Sequence, residues 1–218
     1  MLEKQVDLQT EALETILNEL QKKGYCVLDN AFSIELIDAL QQQINVLSPS
    51  DFHAAGIGRQ KNFQLADSIR QDHIHWLNNQ QEDAAKRFLD NMSQLQQAIN
   101  RRLFLGLFDY EAHFAAYPTG GFYKKHLDAF KGKSNRVLST VLYLNEDWSS
   151  ADGGELILYD EHDLDLQIEK ISPVKGRFLI FLSESFYHQV NPSNKERHSI
   201  AGWFRINNSL SGNIDPAS

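Results

Sequence analysis

Residues Val137–Leu144 read VLSTVLYL, and this run sets the character of the chain's second half. Short apolar runs of the same kind recur at His113–Tyr117 (HFAAY), Glu155–Leu158 (ELIL), Arg177–Leu182 (RFLIFL) and Ala201–Ile206 (AGWFRI). They have strand length and are separated by Gly, Pro, Asn and Asp, which supply turns. From Leu105 to Ile206 the chain therefore predicts many short strands, the pattern of a sandwich or barrel of the jelly-roll kind.

Toward the N-terminus the period changes. Leu8, Ala12, Leu13, Ile16, Leu17 and Leu20 fall at helical spacing before Gly24, which stands where a C-terminal cap belongs. Tyr25–Leu28 reads as a short buried strand. Ser33 caps a second helix running to about Leu47, and Phe88, Leu89, Met92, Leu95 and Ile99 mark a third over Glu82–Leu103. Between them Ser48–Asn79 is polar and aperiodic, apart from a strand-like Ile69–Leu77. Helices first and strands afterwards predict an α+β domain, not alternating βαβ units. No repeat or linker divides the chain. We expect a single domain over 1–218, with helical support at about 8–103, a strand core at about 105–206 and a polar tail at 207–218.

Composition narrows the function classes. With 42% hydrophobic and 23% charged residues among 218, the chain has the profile of a globular protein. A formal charge of −8 and a pI near 5.4 argue against binding to nucleic acid or to an anionic membrane. The single cysteine, Cys26, excludes an internal disulfide and a thiolate zinc site. The opening MLEKQVDLQT lacks the features of a secretory signal, so the cytoplasm is the expected compartment.

The stretch Tyr117–Phe130, YPTGGFYKKHLDAF, carries the chemistry. His126 and Asp128 are two residues apart, so on an extended strand both project from one face, leaving Leu127 to the core. Two histidines and one carboxylate on one face of iron(II), with open positions opposite, suit oxygen chemistry. An HxD tripeptide is common by itself. His188 in SFYHQVNP is the best third ligand, and Arg197 follows nine residues later, entering the apolar run Ile200–Phe204. A dicarboxylate that chelates iron at one end needs a fixed cation for its other carboxylate, and the guanidinium fork fits that task.

Taken together, these segments resemble the prolyl hydroxylase branch of the 2-oxoglutarate- and iron(II)-dependent dioxygenases. Within it the chain is similar to the catalytic domain of the hypoxia-inducible-factor prolyl hydroxylases and their bacterial relatives. The resemblance runs from about Glu11 to Ile206, through EALETILNELQKKGYCVLDN, IRQDHIHW, AAYPTGGFYKKHLD, VLYLNEDW, DGGEL and HQVNPSNKERHSIAGWF. It implies a double-stranded β-helix (jelly roll) supported by N-terminal α-helices. His126, Asp128 and His188 match iron ligands, and Arg197 matches the residue that binds the distal carboxylate of 2-oxoglutarate. Tyr143 matches a tyrosine whose hydroxyl reaches the same carboxylate. Tyr117 and Tyr123 match aromatic residues on the co-substrate and substrate side. Trp203 matches a tryptophan near the substrate proline, with core packing as the alternative. Arg70 and Asp72 match a mobile loop that folds over a substrate peptide, and Arg136 matches a basic partner for that aspartate.

The implied reaction consumes oxygen and 2-oxoglutarate on iron(II), with ascorbate a candidate reductant. It gives succinate, carbon dioxide and 4-hydroxyproline in a protein substrate, for which elongation factor Tu is a candidate. The rivals are hydroxylation of a free amino acid or small molecule, and a catalytically silent binding or sensing module. Other residues invite blander readings. His73 and His75 lack a carboxylate in the right context, and the acidic Asp160, Glu161, Asp163 and Asp165 lack calcium-loop spacing. His113 and His198 suit packing or surface roles. GIGR at Gly56–Arg59 is too short for a dinucleotide site.

Overall fold

The computed structural model describes residues 7–55, 68–78, 83–130 and 134–207. The GIGR stretch and the tail from 208 onward lie outside the described residues. Helix α1 (Thr10–Lys23) buries Ala12, Ile16, Leu17 and Leu20 and stops at Gly24, whose N–H bonds the Leu20 carbonyl at a φ of 77°. Helix α2 (Ile34–Val46) starts on Ser33, whose hydroxyl accepts the Leu36 N–H at 3.2 Å. Helix α3 (Ala84–Leu103) buries Phe88, Met92, Leu95 and Ile99. It begins later than the expected Glu82 because Asp83 caps it, accepting the Lys86 N–H at 3.0 Å.

The strands are β1 (Tyr25–Asp29), β2 (His53–Ala54), β3 (His73–Trp76), β4 (Asp109–Tyr117), β5 (Tyr123–His126), β6 (Arg136–Tyr143), β7 (Leu156–Tyr159), β8 (Gln167–Ile171), β9 (Arg177–Leu182), β10 (His188–Val190) and β11 (Arg197–Arg205). They form a seven-stranded sheet in the order β1-β9-β6-β11-β4-β3-β2 and a four-stranded sheet β5-β10-β7-β8, with antiparallel pairing between named strands. The expected α+β jelly roll is the observed architecture.

Period-2 alternation gives the central strands of the larger sheet two different faces. Phe114, Leu138, Leu142, Phe178, Ile180 and Phe204 point toward the helices and join the main core. Each such side chain contributes about 1.5–3 kcal/mol by leaving water. The odd-numbered neighbours His113, Tyr117, Val141, Phe181, Arg197 and Trp203 line a cleft shared with the smaller sheet. One face of the sheet holds the fold together, and the other carries the polar side chains.

Three local expectations need correction. Only His73–Trp76 of the Ile69–Leu77 stretch is strand in the larger sheet. The residues before it lie against the free edge of β5 instead, through Lys124 N–H to the Ile69 carbonyl at 2.9 Å and Gln71 N–H to the Phe122 carbonyl at 3.1 Å. Second, the HxD pair does not sit within a strand. β5 ends at His126, Asp128 lies in the following bend, and the core position is taken by Ala129, only 1% exposed, while Leu127 is half-buried. Third, β11 begins at Arg197, earlier than its apolar run suggests. Among the described residues no helix is long and apolar enough to cross a membrane.

Candidate active site

His188 opens β10 and lies directly opposite His126 across the strand pair. The β5–β10 register then slips between His188 and Val190, a bulge that leaves one more residue on β5 than on β10. Residues three apart on a regular strand face opposite ways. Here the extra residue lets Tyr123 and His126 share a face, with rings stacked 3.5 Å apart at 16°. The bend after β5 brings Asp128 to the same point. Its Oδ1 is 3.5 Å from His126 Nε2 and its Oδ2 3.7 Å from His188 Nε2. One ligand atom from each of the three residues lies within 4.8 Å of the others, and this is the one such cluster among the described residues.

Each histidine is oriented through its other nitrogen. His126 Nδ1 meets the Lys124 carbonyl oxygen at 2.7 Å and His188 Nδ1 meets that of Phe186 at 3.2 Å. A carbonyl only accepts, so each Nδ1 carries a proton and each Nε2 is turned toward the cluster. Burial lowers the His188 pKa to about 4, keeping the ring neutral and able to bind a metal. Burial raises the Asp128 carboxyl, but the facing histidines and Arg136 outweigh it and hold it well below the usual carboxylate range. A carboxylate and two imidazoles converging in a cleft fit a divalent metal.

Arg197, 2% exposed, enters the cleft from the start of β11. Its Nε donates to the Gly154 carbonyl at 3.0 Å, and its guanidinium lies 5.0 Å from the ring centres of both Tyr117 and Tyr143. Asn145 fixes the adjoining backbone by accepting the His198 N–H at 2.6 Å and donating to the His198 carbonyl at 3.0 Å. The glycine at 154 is required, since a Cβ there would stand 2.9 Å from Ser193 Cβ and 3.3 Å from Arg197 Cδ, at a φ of +70°. Among the described residues no carboxylate pairs with Arg197. Tyr143 Oη is likewise buried without a hydrogen-bond partner. A buried cation with no acid beside a buried hydroxyl with no acceptor fits an anionic group that arrives with a ligand.

The comparisons agree with this chemistry. Residues 112–205 match the model of the 2OG-Fe(II) oxygenase superfamily. The structure of a Pseudomonas putida prolyl-4-hydroxylase is similar over 89% of this chain and 98% of its own, at 36% identity and a TM-score of 0.80. This chain belongs to the 2OG-Fe(II) oxygenases. A Trichoplax adhaerens prolyl hydroxylase, solved in complex with a hypoxia-inducible-factor oxygen degradation domain peptide fragment, matches at 26% identity and a TM-score of 0.78, over 89% of each chain. A Caenorhabditis elegans hypoxia-inducible factor prolyl hydroxylase is 29% identical over 88% of this chain, which spans 28% of that relative's length. The protein is thus a dioxygenase of the prolyl hydroxylase type that uses iron(II), 2-oxoglutarate and oxygen. The silent-module alternative falls.

Elsewhere in the oxygenase's cleft the outcome is mixed. Asp72, 2% exposed, is gripped by Arg70 through two hydrogen bonds of 2.7 and 2.6 Å. Burial alone would raise its pKa, but Arg70 overcomes this and lowers it. Arg70 also lies 4.5 Å over the Tyr123 ring, and burial pushes the Tyr123 hydroxyl up to about 12. The Asp72–Arg136 pair was expected over a bound peptide, and in this structure each residue has another partner. Arg136 bonds Glu111 at 3.1 and 2.9 Å and lies 3.5 Å over the Trp203 ring. Trp203 is not plain core: it lines the cleft, and its indole N–H donates to Asp128 Oδ2 at 2.9 Å. His113 is buried as a packing residue, 5.5 Å from the Trp203 ring and 5.1 Å from that of Trp76, yet it also lines the cleft. Ser139 was missed, although its hydroxyl bonds Asp128 Oδ2 at 2.6 Å. The only hint was two hydroxyl residues inside VLSTVLYL, where apolar ones would pack.

The blander readings agree with the geometry. His73 and His75 join no metal-binding group among the described residues. The acidic stretch closes on itself in an exposed turn, Asp160 Oδ1 accepting the backbone N–H groups of His162 and Asp163.

Proposed function

We propose that this dioxygenase hydroxylates a prolyl residue of a protein to 4-hydroxyproline, with elongation factor Tu as the candidate substrate and the cytoplasm as the compartment. His126, Asp128 and His188 would hold iron(II). Arg197 and Tyr143 would take the distal carboxylate of 2-oxoglutarate, with Tyr117 against its chain. The iron supplies the oxidising chemistry when bound, and the protein orients both substrates and excludes water.

The observation that carries the protein-substrate reading is the makeup of the cleft. The wall that holds the metal ligands and Arg197 continues into Arg70, Asp72, Tyr123, Arg136 and Trp203, residues of several separate elements. Phe130, just past Asp128, is 62% exposed, and Trp76 beside His113 is 47% exposed. Exposed aromatic side chains next to a site are suited to an extended chain more than to a metabolite. The peptide-bound relative from Trichoplax supports the same choice.

The test is direct. Purified enzyme with iron(II) and 2-oxoglutarate is offered intact elongation factor Tu or free L-proline, and +16 Da products are measured by mass spectrometry. Hydroxylation of a proline in the protein, with free proline a poor substrate, is expected. Efficient use of free proline with the protein ignored would overturn the reading.

A further inference from the structure

Asp128 is held by Ser139 and Trp203, the latter also part of the cleft wall in the reading above. Ser139 on β6 and Trp203 on β11 are direct register partners, so both side chains reach the same face at the same level. Their donors converge on a single oxygen, Ser139 Oγ at 2.6 Å and Trp203 Nε1 at 2.9 Å from Asp128 Oδ2. These are short contacts to an ionised acceptor, the stronger class of hydrogen bond. Ser139 is in turn 2.8 Å from Ser183 Oγ. A carboxylate only accepts, so the single Ser139 proton is committed to Asp128, and Ser183 must donate to Ser139. Ser139 and Ser183 are 2% and 0% exposed, so these hydroxyls would be costly in the sheet if they had no partners.

The other carboxylate oxygen is left for the metal. Asp128 Oδ1 faces His126 Nε2 at 3.5 Å and, among the described residues, has no hydroxyl or indole donor on it, whereas Oδ2, 3.7 Å from His188 Nε2, carries both. We propose that Ser139 and Trp203, backed by Ser183, are positioning residues that restrict Asp128 to binding the metal through one oxygen. The restriction has a chemical consequence. Three single-atom protein ligands would leave more of a bound metal's positions open to a chelating 2-oxo acid and oxygen. A carboxylate binding through both oxygens would take one of those positions. The Trp203 donor is itself fixed from above, because Arg136 lies 3.5 Å over the indole and is held by Glu111.

This inference rests on the ligand set and not on the choice of substrate. It is tested with cobalt(II) added to the metal-free enzyme, without 2-oxoglutarate or protein substrate, reading affinity and the visible spectrum. Ser139→Ala and Trp203→Phe should each weaken cobalt binding by about tenfold or more and change the band pattern as the carboxylate turns. Ser139→Thr should restore both, because it returns the hydroxyl, and Ser183→Ala should give a smaller change of the same kind. Wild-type affinity and spectrum in both Ser139→Ala and Trp203→Phe would overturn the proposal. So would a drop in the melting temperature of the metal-free variants with the cobalt spectrum unaltered, which is the mark of a packing role only. If Ser139→Ala does not fold, the Trp203→Phe spectrum decides alone: altered supports the proposal, unaltered overturns it. An enzyme with these cobalt responses that hydroxylates only free proline would sink the substrate reading and leave this one standing.

Discussion

Arg197 and Arg70 bring the same guanidinium into the same cleft, and their surroundings are opposite. Arg197 is fully buried on a central strand with aromatic rings on two sides and, among the described residues, no acid. Arg70 precedes β3, one strand in from the edge of the larger sheet, and already holds Asp72 through a two-point fork. An unpaired buried cation is costly unless a ligand completes it, whereas a paired one is satisfied alone and can exchange partners. The deep end of the cleft holds a buried cation that no acid balances among the described residues. The rim is closed on itself.

The largest effect should come from the deep end. His188→Ala should abolish measurable iron binding and turnover while the protein remains folded, because it removes one of three ligands from a rigid sheet; full turnover in this variant would mean the third ligand is elsewhere. Arg197→Ala should come next. Removing the fork leaves a bound carboxylate unpaired, a loss of about 2–5 kcal/mol, or roughly thirtyfold or more in the 2-oxoglutarate requirement. Metal binding should stay near normal, and Arg197→Lys should rescue only in part.

At the rim the effects should be smaller and of another kind. Asp72→Ala should lower hydroxylation of the protein substrate by about tenfold, the effect of about 1–2 kcal/mol, while uncoupled 2-oxoglutarate decarboxylation barely changes. Double-mutant cycles separate the two partners of Asp72. Coupling to Arg70 should appear in stability, where the structure shows the bond. Coupling to Arg136 should appear only in protein hydroxylation, if the aspartate changes partner over a bound chain. Equal coupling to both in unfolding experiments would contradict that division.

The smallest effect concerns acid. Asp72 has its pKa depressed by Arg70 against the opposing effect of burial. Its contribution to stability is present above the ordinary carboxylate pKa and is lost as pH falls toward the lower folded value. Urea unfolding of wild type should therefore weaken more steeply below about pH 4 than that of Asp72→Asn.

How much of this was legible in the sequence follows the same division. The helices were readable because Gly24 and Ser33 are local signals acting on neighbouring backbone groups. The His126–Asp128–His188 cluster was readable because metal chemistry demands those residue types, and Arg197, whose buried guanidinium lies in the same cleft, was readable with it. What escaped depends on pairing between distant strands. The β5–β10 bulge that puts Tyr123 against His126 leaves no mark in YKKH. Ser139 gains its meaning only from being opposite Trp203 across β6 and β11. Arg136 has an acid at hand from β4, Glu111, a partner that no spacing in the sequence shows. The short strands β8 and β10 were missed because one is a polar edge and the other spans three residues.

The most direct measurement compares two co-substrates rather than two proteins. Binding of 2-oxoglutarate and of 2-oxobutyrate, which lacks the distal carboxylate, is titrated without oxygen into the iron-loaded wild type and Arg197→Ala. If Arg197 awaits that carboxylate, wild type should prefer 2-oxoglutarate by roughly thirtyfold or more, and the preference should collapse in the variant. A preference of the same size in both proteins would contradict the account.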